Sequence, residues 1–338
     1  MMKEVTIAAL ALCMVGCAGI SPRWMSDHCD GVRFYNKEPG HTFSDMVRWI
    51  WQMETVQWPE WIEDAPQPRP TVRVEDGKLR VTYVNHATVL IQMDGINILT
   101  DPIWSMRASP FRWIGPKRVR SPGVRIEDLP RIDLVLVSHD HFDHLDLPTL
   151  ETLVKRDGFL LLTGLGVVNH LNRGIFEKTR ELDWWQEHHD AHSGIRVTFV
   201  PALHDSGRSP FFTDRTLWGG FVIEGKAGRI YFAGDTGFGT FLEDIRNRFN
   251  GFRLTIFPLG SYEKRWFMKN QHMNPDDAVR AHILLNSRQS IGMHYATFAE
   301  HPEQEIDRHE KDLAEALEGR SVATERFSLL KFGEGRDF

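Results

Sequence analysis

Residues 138–144 read Ser-His-Asp-His-Phe-Asp-His, and the reading of this stretch decides the fold. His139, His141 and His144, with Asp140 and Asp143, fall within six residues. They directly follow Asp133-Leu134-Val135-Leu136-Val137, an apolar run that predicts a short buried strand. A loop at a strand end can aim several side chains at one point. The plain alternative is a polar loop that happens to be rich in His. With 16 His in 338 residues, a chance His-x-His-x-Asp-His is roughly a one-in-several-hundred event. Imidazole and carboxylate are borderline ligands that suit zinc, and also manganese or iron. A tetrahedral catalytic ion keeps one position open for water. His139, His141, Asp143 and His144 exceed what one such ion needs, and two ions are expected.

A two-ion centre needs ligands from elsewhere in the chain. His204, Asp235 and His294 are the candidates. Each follows an apolar strand-like run: Val197-Thr198-Phe199-Val200, Ile230-Tyr231-Phe232-Ala233 and Ser290-Ile291-Gly292-Met293. Repeated placement of a ligand after a strand gathers the set at one rim of a sheet.

His139, His141, Asp143, His144, His204, Asp235 and His294, in that order, resemble the ligand series of the metallo-β-lactamase fold superfamily of binuclear hydrolases. The likeness narrows over Asn85-His86-Ala87-Thr88, Leu99-Thr100-Asp101-Pro102-Ile103, Arg107-Ala108-Ser109-Pro110, Gly115-Pro116-Lys117-Arg118 and Glu181-Leu182-Asp183-Trp184-Trp185. It continues over Ala233-Gly234-Asp235-Thr236-Gly237, Tyr262-Glu263-Lys264-Arg265-Trp266-Phe267-Met268 and His294-Tyr295-Ala296-Thr297-Phe298. From Val81 to Phe332 the chain resembles the N-acylphosphatidylethanolamine-hydrolysing phospholipase D family.

That resemblance implies an α/β fold, the αββα four-layer sandwich. It implies two divalent metal ions, with zinc the expected identity. One would be held by His139, His141 and His204, the other by Asp143, His144 and His294, with Asp235 bridging. Asp143, Asp235 and His272 are then the expected catalytic side chains, His272 as a phosphate contact or a proton donor to the leaving group. The implied reaction hydrolyses a phospholipid or another diester on the head-group side of phosphorus. Gln271 and His272 match a family position near the metals and are expected substrate contacts. Two departures touch the expected pocket: Arg112-Trp113 stands where animal members have Gln-Tyr, and Asp205-Ser206-Gly207 stands where an aromatic is usual. Arg112 and Trp113 are therefore expected to bear on substrate preference. The alternative reaction is ester or lactone hydrolysis, because an activated water attacks a carbonyl as well as a phosphorus. Family members can form homodimers, though no sequence feature marks a dimer face.

Composition agrees with a globular enzyme. The chain has room for one large α/β domain plus an extension, and 41% hydrophobic content is ordinary. A net charge of −6 disfavours nucleic acid as a partner. Residues 1–17 read as a signal peptide: Lys3, then an apolar run from Val5 to Val15 that is too short for a membrane span. Small residues flank Cys17 and resemble a bacterial lipoprotein processing signal, with Cys17 as the lipidated residue. Ala18 points to the outer membrane, facing the periplasm, and a plain secreted or periplasmic protein is the alternative. With Cys13 removed and Cys17 lipidated, only Cys29 remains, so no intramolecular disulfide can form.

Residues 18–70 form an extension without strand alternation, and residues 71–338 form the catalytic domain. Phe43, Met46, Val47, Ile50 and Trp51 lie at helical spacing, which predicts a helix packed on the main domain or, alternatively, an interfacial patch. Pro66, Pro68 and Pro70 mark a stiff linker. Strands are predicted over Leu79–Val84, Val89–Met93 and Ile96–Leu99, with Asp94-Gly95 as a hairpin turn. Helices are predicted over Pro148–Arg156, Pro275–Leu285 and Glu303–Leu317, with Asn274-Pro275 as cap and first turn. His86 is a candidate donor to a metal ligand or a core histidine. Lys117, Arg118, Arg120 and Arg125 read as a solvated basic face, with attraction of anionic head groups as the alternative. His188, His189, Asp190 and His192 read as an exposed loop.

Overall fold

Alternation along the first strands sorts the chain into layers. A computed structural model describes residues 26–38, 42–53, 56–209, 212–298 and 304–338; the expected signal peptide, with Cys17 and Ala18, lies outside the described residues. The strands are β1 (Leu79–Asn85), β2 (Thr88–Met93), β3 (Ile96–Thr100), β4 (Leu134–Val137), β5 (Leu160–Gly164), β6 (Thr179–Leu182) and β7 (Glu187–His189). They continue as β8 (Arg196–Val200), β9 (Gly220–Gly225), β10 (Gly228–Phe232), β11 (Phe252–Pro258), β12 (Ser287–Met293), β13 (Phe327–Ser328) and β14 (Gly335–Asp337). The helices are α1 (Phe43–Gln52), α2 (Leu147–Asp157), α3 (Arg173–Phe176), α4 (Phe241–Phe249), α5 (Arg265–Met268), α6 (Pro275–Leu284) and α7 (Arg308–Gly319).

Successive strand residues face opposite sides of a sheet. Val81, Tyr83, Val89, Ile91, Leu134 and Leu136 enter the main core, where they meet Val197, Phe199, Phe221, Ile223 and Tyr231 of the second sheet. Their neighbours Val84, Leu90, Leu99, Val135 and Val137 enter a second core closed by Leu150 and Leu153 of α2. The two seven-stranded sheets run β14-β1-β2-β3-β4-β5-β6 and β13-β12-β11-β10-β9-β8-β7. Leu242 and Ile245 of α4, Val279 of α6 and Leu313 and Leu317 of α7 cover the second sheet. The expected αββα sandwich is what forms.

Each sheet is antiparallel at one end and parallel at the other, as at β2–β3 against β3–β4. The β2–β3 hairpin turns through Asp94 (φ 46°) and Gly95 (φ 77°), the two positive values that a tight twisted hairpin requires. The α6 cap is as expected: the Asn274 side chain accepts from the Asp277 N–H at 2.9 Å, and Pro275 opens the helix.

Three expectations change. α7 begins at Arg308, later than Glu303, because Gln304 is committed elsewhere: its carbonyl accepts from Trp58 Nε1 (2.7 Å) and its side chain from the Tyr262 N–H (3.2 Å). His188 and His189 belong to edge strand β7, paired with β8 through His189↔Arg196. Arg118 is buried, not solvated, and its guanidinium donates to the carbonyls of Ser105 and Ile103. The predicted α1 forms, with Trp49 stacked on Phe267 (5.0 Å) and Arg48 over Trp266 (4.5 Å). Its Met46, Val47 and Trp51 nevertheless remain exposed. No helix among the described residues is long and apolar enough to cross a membrane.

Candidate metal centre

The carboxyl ends of strands from both sheets meet at one rim. β4 delivers Ser138 and His139, β8 leads to His204, β10 to Asp235, and β12 to His294. Backbone hydrogen bonds stitch the rims together: Gly219 N–H donates to Ser138 O (3.1 Å) and His294 N–H to His86 O (2.8 Å). The crossing is tight. A Cβ on Gly234 (φ 61°) would lie 2.7 Å from Ser138 Cβ, and one on Gly260 would lie 1.6 Å from the His294 carbonyl oxygen. Asp101, His86 and His294 take positive φ, a backbone cost that concentrates at functional sites.

All seven expected ligands converge. Ligand atoms of His139, His141 and His204 lie within 4.8 Å of one another, as do those of His86, Asp143, His144 and His294. Asp235 groups with His139 and His144, and again with His204 and His272. Asp235 Oδ2 stands 2.9 Å from His294 Nε2, 3.2 Å from His144 Nε2 and 3.9 Å from His204 Nε2. The set faces inward except on one side, where His141 and Asp205 are 30% and 39% exposed, 3.5 Å apart. That side is the opening.

The donor set fits a bound cation. His204 Nε2 and Asp235 Oδ1 are buried without a hydrogen-bond partner. Three buried carboxylates, Asp143, Asp235 and Asp101, crowd His144. Burial would lower its pKa, but these carboxylates hold it well above the ordinary value. The site demands positive charge. Burial pushes the Asp235 carboxyl up, yet His294 and His144 outweigh it and keep it well below the usual carboxylate range. Burial, reinforced by His144, drives the His139 imidazole well below its ordinary value. Ionised carboxylates and a neutral imidazole are the forms that bind metal.

Supporting hydrogen bonds fix the ring orientations. His144 Nδ1 pairs with Asp101 Oδ2 at 2.7 Å, and Asp101 also accepts from the Ser138 N–H (2.7 Å) and hydroxyl (2.6 Å). His204 Nδ1 meets the Gln271 carbonyl at 3.0 Å. Both arrangements leave Nε2 for a ligand role, the usual use of a second partner on a metal-binding His. His86 Nε2 lies 2.8 Å from Asp143 Oδ2, which is the donor arrangement rather than that of a core histidine. The role of Asp101 went unread in the sequence, although it obeys the strand-then-ligand rule after β3. Asp205 was read only as a departure.

His272 Nδ1 sits 3.8 Å from Asp235 Oδ2, with its ring 5.2 Å from that of His204. The Gln271 side-chain amide donates to Asp205, so this residue braces the rim beside His141. Arg112 and Trp113 lie outside the cluster, on an exposed loop.

Comparison with known proteins agrees with this geometry. The family described as Beta-lactamase superfamily domain matches residues 96–295. The chain is 38% identical over 229 residues to an N-acyl-phosphatidylethanolamine-hydrolyzing phospholipase D of Caenorhabditis elegans, covering 65% of this chain and 64% of that one. It is 33% identical over 238 residues to the mitochondrial enzyme of that description from Saccharomyces cerevisiae, covering 68% and 50%. It thus spans just under two thirds of the worm relative and half of the yeast one. An isothiocyanate hydrolase from Delia radicum gut bacteria superposes with a TM-score of 0.61 at 20% identity, covering 77% of this chain and 98% of that one. A metallo hydrolase from Ignicoccus hospitalis does so with 0.59 at 20% identity and the same coverage. With the family match over residues 96–295, the seven converging candidate ligands and the four-layer sandwich, the chain belongs to the metallo-β-lactamase superfamily.

Proposed function

We propose that this chain is a binuclear metal-dependent phosphodiesterase of phospholipase D type, acting on N-acylphosphatidylethanolamine or a related phospholipid. The observation that carries the reading is the buried cluster around Asp235, in a chain 38% identical over 229 residues to a phospholipase of that class. In this reading His139, His141 and His204 would hold one ion and Asp143, His144 and His294 the other, with Asp235 a candidate ligand to both. The His and Asp donors favour zinc. Bound there, the two ions would supply Lewis acidity toward phosphoryl oxygens and lower the pKa of water.

The protein's own groups do the rest. Asp101 and the Gln271 carbonyl hold the His144 and His204 rings in one tautomer. His86 holds Asp143. His272, 3.8 Å from Asp235, would contact the phosphate or protonate the departing alkoxide. The opening over His141 and Asp205 admits the head group. Lipidation of Cys17 would keep the enzyme on its membrane, in the outer-membrane leaflet facing the periplasm, with a homodimer as its assembly.

The test is product analysis. Full-length metal-loaded protein receives N-acylphosphatidylethanolamine in mixed micelles, with Asp235→Asn as control, and lipids are read by mass spectrometry. Phosphatidate and N-acylethanolamine should form only with the intact site. Turnover of an aryl ester or lactone without phosphatidate would leave the hydrolase and remove the phospholipase.

A further inference from the structure

From Ile103 to Ile126 the chain contains no Asp or Glu, although its net charge is −6. Within that stretch a loop is pinched off at a neck. Arg107 and Lys117 form an isolated antiparallel bridge, Ala108 N–H donates to Pro116 O (3.0 Å), and Arg118 N–H donates to Met106 O (3.0 Å). The buried Arg118 guanidinium anchors the neck from below through Ser105 O (2.9 Å) and Ile103 O (3.1 Å). Gly115 closes the tip at φ 98°, where a Cβ would lie 2.6 Å from Ser109 Cβ. The loop is held out by its own hydrogen bonds.

What it holds out is apolar. Met106, Phe111 and Ile114 are exposed, Trp113 is 74% exposed, and the Phe111 and Trp113 rings lie 5.6 Å apart. Arg112 and Lys117 flank them, also exposed. The inner side of the loop walls a cavity of about 780 Å³ shared with Phe142, which sits between His141 and Asp143, and with Arg208. Arg208 lies 3.9 Å over the Phe142 ring and donates to the Asp140 and Leu145 carbonyls, so the loop adjoins the metal-cluster loop across a fixed wall.

We propose that residues 105–117 are a membrane-docking loop: the Phe111–Trp113–Ile114 tip enters the interfacial layer of a bilayer and Arg112 and Lys117 meet anionic head groups. Indole prefers the boundary between water and lipid, and a cationic rim around an apolar tip complements an anionic lipid surface. Docked this way, the protein holds the groove lined by Phe142, next to His141 at the opening of the cluster, against the lipid surface. The proposal rests on the phospholipase reading for its purpose, while docking is measured without turnover.

The experiment uses all 338 residues made by cell-free synthesis, so that no acyl chain is attached, and vesicles of phosphatidylcholine alone or mixed with phosphatidylglycerol. Tryptophan emission should be quenched by brominated acyl chains, and Trp113→Ser should lose most of that quenching. Phe111→Asp and Ile114→Asp should each lower the vesicle partition coefficient about tenfold. Arg112→Gln should lower it about fivefold, on the anionic vesicles alone. Circular-dichroism melts should stay unchanged throughout. Unaltered quenching in Trp113→Ser, or unaltered partitioning in a Phe111→Asp, Ile114→Asp double variant, would overturn the proposal. So would loss of self-association by that double variant in vesicle-free sedimentation, which would make the loop a protein interface. Hydrolysis is absent from every arm, so failure here leaves the phospholipase reading standing, and failure of that reading leaves docking measurable.

Discussion

At the scale of single residues, the candidate centre is shaped by side chains that hydrogen-bond to the expected ligands. Asp101 is fully buried and has its carboxylate occupied by Ser138 N–H, Ser138 hydroxyl and His144 Nδ1. Burial raises its carboxyl above the ordinary carboxylate value, and His144 and Ser138 offset this only in part. An amide in its place would keep the shape but turn one acceptor into a donor facing donors. His144 would lose the partner that fixes its tautomer. We expect Asp101→Asn to weaken metal binding about 10- to 100-fold, the usual cost of removing such a partner. Competition with a chromogenic chelator measures it, and an unchanged affinity would show that His144 orients itself. His86→Phe should act in the same assay through Asp143, with a smaller effect because His144 and His294 still contact that carboxylate.

At the scale of elements, the approach to the first sheet is tied down by a fork. Arg73 Nη1 and Nη2 donate to the two oxygens of Asp133 at 2.6 and 2.9 Å, and Asn97 N–H adds a third bond at 3.0 Å. Burial would raise the Asp133 pKa, but these donors outweigh it and lower it below 3.8. A depressed folded pKa means that the stabilisation is present above the ordinary carboxylate value and lost as pH falls through the folded one. Arg73→Gln should therefore cost about 1 kcal/mol at neutral pH, discounted for the partial exposure of Arg73, and less once the pH has fallen below 3.8. Urea titrations at both pH values decide it; an equal loss at both would assign the effect to packing. Elements of this kind explain how far the chain could be read beforehand. Strand runs ending in His139, His204, Asp235 and His294 were legible because period-two burial and a ligand at the strand end are both local signals. The Asp101–His144 pair was not, since it joins positions 43 residues apart through a crossing of backbone that only the assembled sheets create. The α7 start and the β7 edge failed for a related reason. Gln304 is directed by the distant Trp58 and Tyr262, and His189 pairs with Arg196 in a hairpin whose short edge strand carries no apolar alternation.

At the scale of the whole molecule, two of the histidines buried away from the candidate centre, His282 and His309, lower stability in acid. His282 of α6 is buried against β12, with Nδ1 2.7 Å from Ser290 Oγ, and burial followed by the Arg326 charge lowers its pKa to about 4. His309 of α7 is buried and stacked on Tyr295 at 4.3 Å, and burial lowers its pKa to about 4 as well. Above the ordinary value of 6.5 both are neutral in the folded and unfolded chain, so neither affects stability. Below 6.5 the unfolded chain takes up protons that the folded chain excludes, and stability falls with pH until about 4. Each shift corresponds to about 3 kcal/mol at the acid end of that window. Protonation of the candidate ligands would also release a bound metal as pH falls, so the wild-type curve alone cannot isolate the two groups. A His282→Gln, His309→Gln double variant can, because it keeps every candidate ligand. The difference in unfolding free energy between variant and wild type should be constant above pH 6.5 and shift in the variant's favour between 6.5 and 4. Parallel curves across the window would mean that both rings are hydrated or already protonated in the native sandwich, and acid sensitivity would then arise at other groups, the candidate metal centre and the Arg73–Asp133 pair among them.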